Sequence, residues 1–141
     1  GGAGMASWND TVIENCRANA GELGAPWEGK TVILLHTLGP RTGKEYVNPL
    51  VAAPDGDDYV ICASMGGAPS DPQWVAALEA ASGPATLEIG SETVKADYRV
   101  VRPGSPDWDR LYGIWRAYWP DAAEYEKKTD RTIPLVRLTR R

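Results

Sequence analysis

The turn at residues 39–44 carries the residues of this sequence that are best suited to bind an anion. Arg41 and Lys44 stand on either side of Thr42, so two cations and a hydroxyl group lie close together between two predicted strands. These groups bind phosphate and carboxylate in proteins. The spacing differs from that of a phosphate-binding loop, which connects a strand to a helix. The turn therefore indicates either an anion site or a basic turn that is only solvated.

A second glycine-rich stretch, residues 64–74, follows an apolar run that is typical of a strand. Gly66 and Gly67 allow positive φ angles and a close approach of a ligand to the backbone. Asp71 and Pro72 are the residue types preferred at a helix N-cap and at the first helical position. The amides that open a helix lack intrahelical partners and favour negative charge. The stretch fits a cofactor cradle, and it fits a plain strand-to-helix connection as well.

Other kinds of active site have little support in the sequence. His36 is the single histidine and lies in an apolar run, so a buried structural histidine is expected there rather than a metal ligand. No nucleophile motif accompanies it. Cys16 and Cys62 have neither metal-binding nor redox spacing, and two buried thiols are expected. We therefore expect no metal site, and the residues fit either a protein that binds a reactive cofactor or a binding module.

The composition limits the classes of partner. The chain has 141 residues and a net charge of −4, which argues against nucleic acid as the main partner. No apolar run approaches the roughly 20 residues that a membrane-spanning helix needs, so stable membrane insertion is not expected and a cytoplasmic location is. Six tryptophans and six tyrosines, with no phenylalanine, suit a pocket for a planar small molecule or an ordinary core.

Hydrophobic periodicity predicts more strands than helices. Strands are expected at residues 30–38, 45–52, 59–63, 85–89, 93–101 and 133–138, and helices at 7–20, 71–81, 105–119 and 122–128. Pro49 cannot donate a ladder hydrogen bond, so the second strand is expected at a sheet edge or at a bulge. Residues 54–57 predict a hairpin turn. Short turns between strands favour an α+β, mainly β fold, in which an antiparallel sheet closes into a small barrel with helices packed outside.

The chain is expected to form one domain overall, with three segments along its length. Residues 1–4 precede Met5 and have the composition of an expression-tag remnant. Residues 5–29 are expected to form an N-terminal helix and linker, and residues 30–141 the barrel.

Four short segments together resemble the deazaflavin-dependent nitroreductase family, whose members use coenzyme F-420. Each segment is weakly specific alone, but their joint order spans nearly the whole chain from Lys30 onward. The segments are 39–44 with 48–50, 54–57, 63–69 with Pro72 and Trp74, and Tyr125 with 128–129 and 131–134. The resemblance implies an antiparallel split β-barrel of six or seven strands, similar to FMN-binding split barrels. It also implies a reductase that transfers a hydride from the reduced deazaflavin to an electron-poor small molecule such as a quinone, an enone or a nitroaromatic compound, and it allows a homodimer.

The resemblance also implies roles for particular residues of this chain. The implied cofactor-binding residues are Pro40, Arg41, Thr42, Tyr46, Val47, Asn48, Pro49, Ser64, Met65, Gln73, Trp74 and Ala77. Trp119, Ala122 and Tyr125 correspond to the roof of the substrate pocket. Tyr125 and Ser64 are the candidate catalytic residues, as donors or relays of the proton that must follow the hydride.

Three positions depart from the family pattern. Tyr46 and Met65 stand where the family usually has a basic residue, and Ala122 stands where it often has a tyrosine. The cations missing at Tyr46 and Met65 would weaken the binding of an anionic cofactor. The smaller side chain of Ala122 would widen the substrate pocket. These departures motivate two alternatives: a non-catalytic carrier of a fatty acid, tetrapyrrole or quinone, and a reductase that uses FMN.

Overall fold

The computed structural model describes residues 8–19, 29–39, 41–63, 73–120 and 133–141, and in this part of the chain seven strands and three helices form. The helices are α1 (Trp8–Ala18), α2 (Gln73–Ala80) and α3 (Pro106–Tyr118). The strands are β1 (Val32–Leu38), β2 (Glu45–Val51), β3 (Ala53–Asp55), β4 (Asp58–Cys62), β5 (Ala85–Ile89), β6 (Glu92–Val101) and β7 (Leu135–Arg140).

All seven strands belong to one sheet with the order β2-β1-β5-β6-β7-β4-β3, and every neighbouring pair is antiparallel. The two edge strands, β2 and β3, are consecutive in the chain and are separated only by Ala52. Ala52 is fully buried, and its amide donates to the carbonyl oxygen of Thr31 at 2.9 Å. Because one residue connects opposite edges, the sheet must curl back on itself. The predicted split barrel with helices outside is thereby confirmed.

Apolar side chains cover both faces of the curled sheet. One face forms the α3-side core, to which α1 also contributes; its members include Cys16, Val32, Leu34, Val60, Leu111 and Trp115. The other face forms the α2-side core, which includes Ile33, Leu35, Ile61, Trp74 and Leu78. Successive residues of β1 alternate between these cores, and the four residues from Val32 to Leu35 are all buried. The prediction that this strand is buried on both faces is confirmed.

The two prolines in strands both lie at sheet edges. Pro49 pairs with Leu34 on the edge strand β2, as its missing amide hydrogen predicts. The prediction of a turn over residues 54–57 is wrong in part, because Pro54 belongs to β3 and pairs with Tyr59. Only Gly56 and the following residue form the turn, and Gly56 has a φ of 61°. An edge strand tolerates proline because its free side requires no donor.

The boundaries of the last helix and strand follow from their end residues. The Ser105 side chain caps α3 by accepting a hydrogen bond from the Trp108 amide at 3.2 Å, and α3 ends before Pro120, as predicted. Strand β7 lies two residues later than predicted, because its ladder continues to a pairing of Arg140 with Ala96. The predicted helix at 122–128, the helix start at Asp71 and Pro72, and residues 1–7 lie outside the described residues.

Within the described segments, no helix combines the length and the apolar character that crossing a bilayer requires.

Candidate functional site

The turn between β1 and β2 is fixed by its own hydrogen bonds. The Gly39 amide donates to the Lys44 carbonyl oxygen at 2.8 Å, and the Gly43 amide donates to the Gly39 carbonyl oxygen at 2.8 Å. A β-carbon at Gly39 would lie 3.0 Å from Thr42 Oγ1 and 3.3 Å from the Tyr46 ring, so a larger residue would displace these neighbours. These hydrogen bonds therefore fix the backbone from which the polar side chains of the turn extend at the end of the hairpin.

The cations of this turn are available to an external anion. Among the residues that the structure describes, no carboxylate forms an ion pair with Arg41 or Lys44. Lys44 Nζ lies 5.4 Å from the centroid of the Tyr46 ring. Thr42 Oγ1 accepts a hydrogen bond from the Lys44 amide at 3.2 Å, which leaves the hydroxyl hydrogen free to donate. The turn can thus offer a guanidinium, an ammonium and a hydroxyl to a phosphate.

Next to this turn lies a cleft of about 600 Å³ between α1 and β2, which we call the α1–β2 cleft. Its lining residues come from α1 and from consecutive positions of β2: Asp10, Ile13, Glu14, Arg17, Glu45, Tyr46, Val47 and Asn48. Three predicted cofactor residues, Tyr46, Val47 and Asn48, therefore lie in one cleft. The fourth on this strand, Pro49, follows them on the edge and is half-buried. The volume lies in the range of pockets for drug-sized ligands.

The predicted residues on α2 lie on the opposite face of the sheet. Trp74 is only 5% exposed and Ala77 only 3% exposed, and Trp74 belongs to the α2-side core. Ala77 lines a second, smaller cleft of about 270 Å³, the β1–α2 cleft, together with His36 and Glu45. Gln73 is exposed at the start of the helix. The structure thus separates the α2 residues from the α1–β2 cleft, and their contact with a cofactor stays a prediction.

Trp119 lies on the same side of the sheet as the α1–β2 cleft. It follows α3, its ring meets the Trp115 ring edge to face at a centroid distance of 5.9 Å, and it packs against the α3-side core, as Val47 does. Trp119, a predicted substrate-pocket residue, and Val47, a predicted cofactor-binding residue, therefore pack against the same core. Five other predicted site residues lie outside the described residues: Pro40, Ser64, Met65, Ala122 and Tyr125.

Sequence reasoning did not find a group of charged side chains beside the cleft. Arg17 of α1 donates to Glu88 of β5 through two nitrogens, from Nε to Oε1 at 2.9 Å and from Nη2 to Oε2 at 2.8 Å. His36 Nε2 lies 2.6 Å from Glu88 Oε2, and His36 Nδ1 lies 3.6 Å from Glu45 Oε1. We call these four side chains the polar strap. The sequence feature that pointed toward this group was His36, because a lone histidine in an apolar strand needs a polar partner.

Glu88 of the polar strap is ionised over a wide pH range. Hydrogen bonds from Arg17 lower the pKa of Glu88 to about 2, the hydrogen bond with His36 acts in the same direction, and partial burial opposes both. Because Glu88 is a carboxylate above that pH, it accepts the proton of His36 Nε2–H, which leaves Nδ1 directed toward Glu45.

The depressed pKa predicts a stability contribution that acid removes. An unfolded glutamate has a pKa of about 4.3, so the contribution of Glu88 is complete above that pH and declines as the pH falls toward 2. We expect wild type to exceed Glu88→Gln in stability at pH 7, and this difference to shrink between about pH 4.5 and 2, as measured by urea unfolding. Glu79→Gln, which removes a half-exposed partner of Arg102, is the control. A stability difference between wild type and Glu88→Gln that does not change with pH would contradict the lowered pKa of Glu88.

The two cysteines are structural, as predicted. Cys16 and Cys62 are both buried, both belong to the α3-side core, and neither forms a disulfide. Burial raises the pKa of the Cys16 thiol, which disfavours the reactive thiolate. No group of three or more metal-ligating side chains occurs in the described part of the chain.

Comparisons with known proteins agree with this architecture. The sequence profile of the F420H2-dependent quinone reductases matches residues 8–140. The F420H2-dependent quinone reductase of Mycobacterium tuberculosis is 36% identical over 110 residues, which make up 77% of this chain and 73% of that protein.

Two solved structures share the barrel. One, described as a domain-swapped dimer, has a TM-score of 0.67 and 25% identity, over 94% of this chain and 99% of its own. The structure of the F420-H2 dependent reductase FDR-A has a TM-score of 0.64 and 26% identity, over 83% of this chain and 96% of its own. Because the family profile covers almost the entire chain and the barrel matches, the chain belongs to the F420H2-dependent quinone reductase family.

Proposed function

We propose that this protein is a reductase that uses reduced coenzyme F-420 to reduce quinones. The observation that carries the proposal is the β1–β2 hairpin, which joins a cationic turn at Arg41 directly to cleft-lining residues from Tyr46 to Asn48. The names of the relatives favour coenzyme F-420 over the FMN and carrier alternatives. When bound, the reduced deazaflavin supplies the hydride, and the protein supplies orientation and exclusion of water.

The described residues fit such a cofactor. Its phosphate and acidic tail need cations that are not already paired, and Arg41 and Lys44 meet this requirement among the described side chains. Its planar ring needs an apolar surface with a few polar groups, which Tyr46, Val47 and Asn48 provide along one strand. The turn would thus hold the anionic end, and β2 would orient the ring. The roles of Ser64 and Tyr125 in proton transfer stay predictions.

The charge of the α1–β2 cleft determines which end of the cofactor it can accept. Glu14 and Glu45 line it, while its one lining cation among the described residues, Arg17, is engaged by Glu88. A phosphate or glutamate tail placed here would meet like charges, so the tail must run toward the Arg41 turn instead. The negative lining leaves the cleft to the ring and to an acceptor that carries no negative charge.

This electrostatic arrangement predicts discrimination between quinones by charge. We expect a neutral benzoquinone to have a kcat/KM about tenfold higher than a sulfonated benzoquinone of similar potential, because charges near a protein surface interact by about 1 kcal/mol or more. Initial rates with both acceptors test this. The ratio should fall in Glu14→Gln, whose carboxylate is exposed on the cleft wall, and at high salt. An equal preference for both quinones would contradict it.

The proposed function is tested by binding and turnover together. Titration of the protein with F-420, followed by cofactor fluorescence, should give saturable binding. Anaerobic mixing of the protein with reduced F-420 and benzoquinone should then oxidise the cofactor well above the rate without protein. Absence of both binding and turnover, or a purified protein that is yellow from bound FMN, would reject the proposal.

We also propose that the protein forms a homodimer. The support is the similar solved structure described as a domain-swapped dimer, which covers 94% of this chain. Light scattering coupled to size-exclusion chromatography should give twice the mass of the 141-residue chain. A monomer mass at micromolar concentration would reject this proposal.

A further inference from the structure

The polar strap connects the two walls of the α1–β2 cleft. Arg17 belongs to the α1 wall and Glu45 to the β2 wall, and both line the cleft. Glu88 and His36 join them, with contacts of 2.8 and 2.9 Å on the Arg17 side, 2.6 Å in the middle and 3.6 Å on the Glu45 side. The strap therefore crosses β5, β1 and β2, which are consecutive in the sheet order.

The polar strap attaches the last turn of helix α1 to the sheet. It has only 11 residues, and isolated helices of this length are marginal in water. Its apolar contacts in the described structure come from Val12 and Cys16, which are buried, and from Ile13, which is partly buried. The Cys16 thiol lies 4.0 Å from the carbonyl oxygen of Val32, a weak contact. The two-nitrogen contact of Arg17 with Glu88 is the directional link at the last turn of this helix.

The inner part of the strap is well shielded from water. The side chains of Glu88 and His36 are 18% and 17% exposed, whereas that of Arg17 is 51% exposed. Glu88 is thus a carboxylate fixed within the sheet, and Arg17 reaches down to it from the helix. An ion pair with one shielded partner and two parallel hydrogen bonds restricts the helix more than a fully exposed pair would.

We propose that Glu88 is a positioning residue that holds α1, through Arg17, as the wall of the acceptor-binding cleft. The proposal rests on the proposed quinone reductase function. Loss of the link frees the α1 wall, so the acceptor loses contacts on that side, while β2, which orients the cofactor ring, and the Arg41 turn, which holds its anionic end, stay in place. The expected signature is a change in KM for the quinone with little change in kcat or in F-420 affinity.

The test uses the full chain and the variants Arg17→Met, Glu88→Gln and Arg17→Lys. At saturating reduced F-420, we expect Arg17→Met and Glu88→Gln each to raise KM for a neutral benzoquinone at least fivefold, with kcat and the F-420 dissociation constant within twofold of wild type. Amide hydrogen exchange of residues 12–18 should accelerate tenfold or more. Arg17→Lys should raise KM less than Arg17→Met does, because lysine keeps the positive charge at this position. The double variant with Arg17→Met and Glu88→Gln should have about the same KM as either single variant, since each substitution alone already removes the same link.

The matched control is Glu79→Gln, which breaks an ion pair with Arg102 away from the cleft and should leave KM unchanged. An unchanged KM in Arg17→Met, whether or not α1 exchanges faster, would overturn the proposal. If wild type neither binds F-420 nor oxidises it, the reductase function fails separately. Quinone binding, measured by tryptophan fluorescence quenching, then decides: fivefold weaker binding in Arg17→Met supports the positioning role, and equal binding overturns it.

Discussion

Replacement of Arg41 by alanine is expected to weaken F-420 binding by about 10- to 150-fold, since a hydrogen bond to a charged group contributes about 1.5–3 kcal/mol. Arg41 is exposed on a turn that closes through backbone hydrogen bonds of Gly39 and Gly43, so the turn does not depend on the arginine side chain. The melting temperature should therefore stay within about 2 °C of wild type, because surface substitutions usually change stability by less than about 0.5 kcal/mol. Fluorescence titration with F-420 and a thermal melt measure the two quantities.

The control for this experiment is Arg140→Ala. Arg140 is an exposed arginine at the end of β7, where it pairs with Glu92, and it lines neither cleft among the described residues. It should change the net charge as Arg41→Ala does while leaving F-420 affinity unchanged. Equal losses of F-420 affinity in both variants would mean that binding depends only on the net charge of the protein. An unchanged F-420 affinity in Arg41→Ala would mean that the turn is not part of the cofactor site.

Replacement of Trp74 by alanine is expected to destabilise the protein by about 3–5 kcal/mol, the range for a large aromatic side chain removed from a core. Trp74 is 5% exposed and packs in the α2-side core with Ile33, Leu35 and Ile61. A loss of this size is a large part of the roughly 5–15 kcal/mol that a small domain has. Urea unfolding, monitored by circular dichroism, measures this loss in the free energy of unfolding.

A neighbouring residue separates the structural role of α2 from a cofactor contact. Gln73 is exposed on the same helix, so Gln73→Ala should leave the free energy of unfolding within about 0.5 kcal/mol of wild type. Any loss of F-420 affinity in Gln73→Ala would then report a direct contact. A small stability loss in Trp74→Ala would contradict the packing of the α2-side core.

The parts of the fold that follow from local sequence were predictable. The alternation along β6 is confirmed, since Val94, Ala96, Tyr98 and Val100 all belong to or pack against the α2-side core. The proline in β2 correctly marked an edge strand, because a missing amide donor acts locally. Strand β3 was missed, because its three residues contain a proline followed by turn-forming residues, and only its pairing with β4 makes it a strand.

The site was predictable only in part, because its geometry depends on contacts between distant segments. The residues of the β1–β2 hairpin are consecutive in the sequence, and the cleft brings Tyr46, Val47 and Asn48 together as neighbours on one strand. The polar strap joins Arg17 and Glu88, which are 71 positions apart, and no periodicity or motif connects them. The burial of Trp74 depends on which face of the sheet α2 covers, and helix periodicity alone does not determine this.

The single-residue corner at Ala52 restricts how this barrel can change in length. An insertion or deletion there would shift the register of β2 against β1, or of β3 against β4, by one residue, and would exchange inward and outward side chains along that strand. The additional side-chain atoms of a larger residue would also have to fit at a fully buried position. A peptide tag or a domain inserted at this corner would therefore open the barrel, and variation in chain length is expected at other connections.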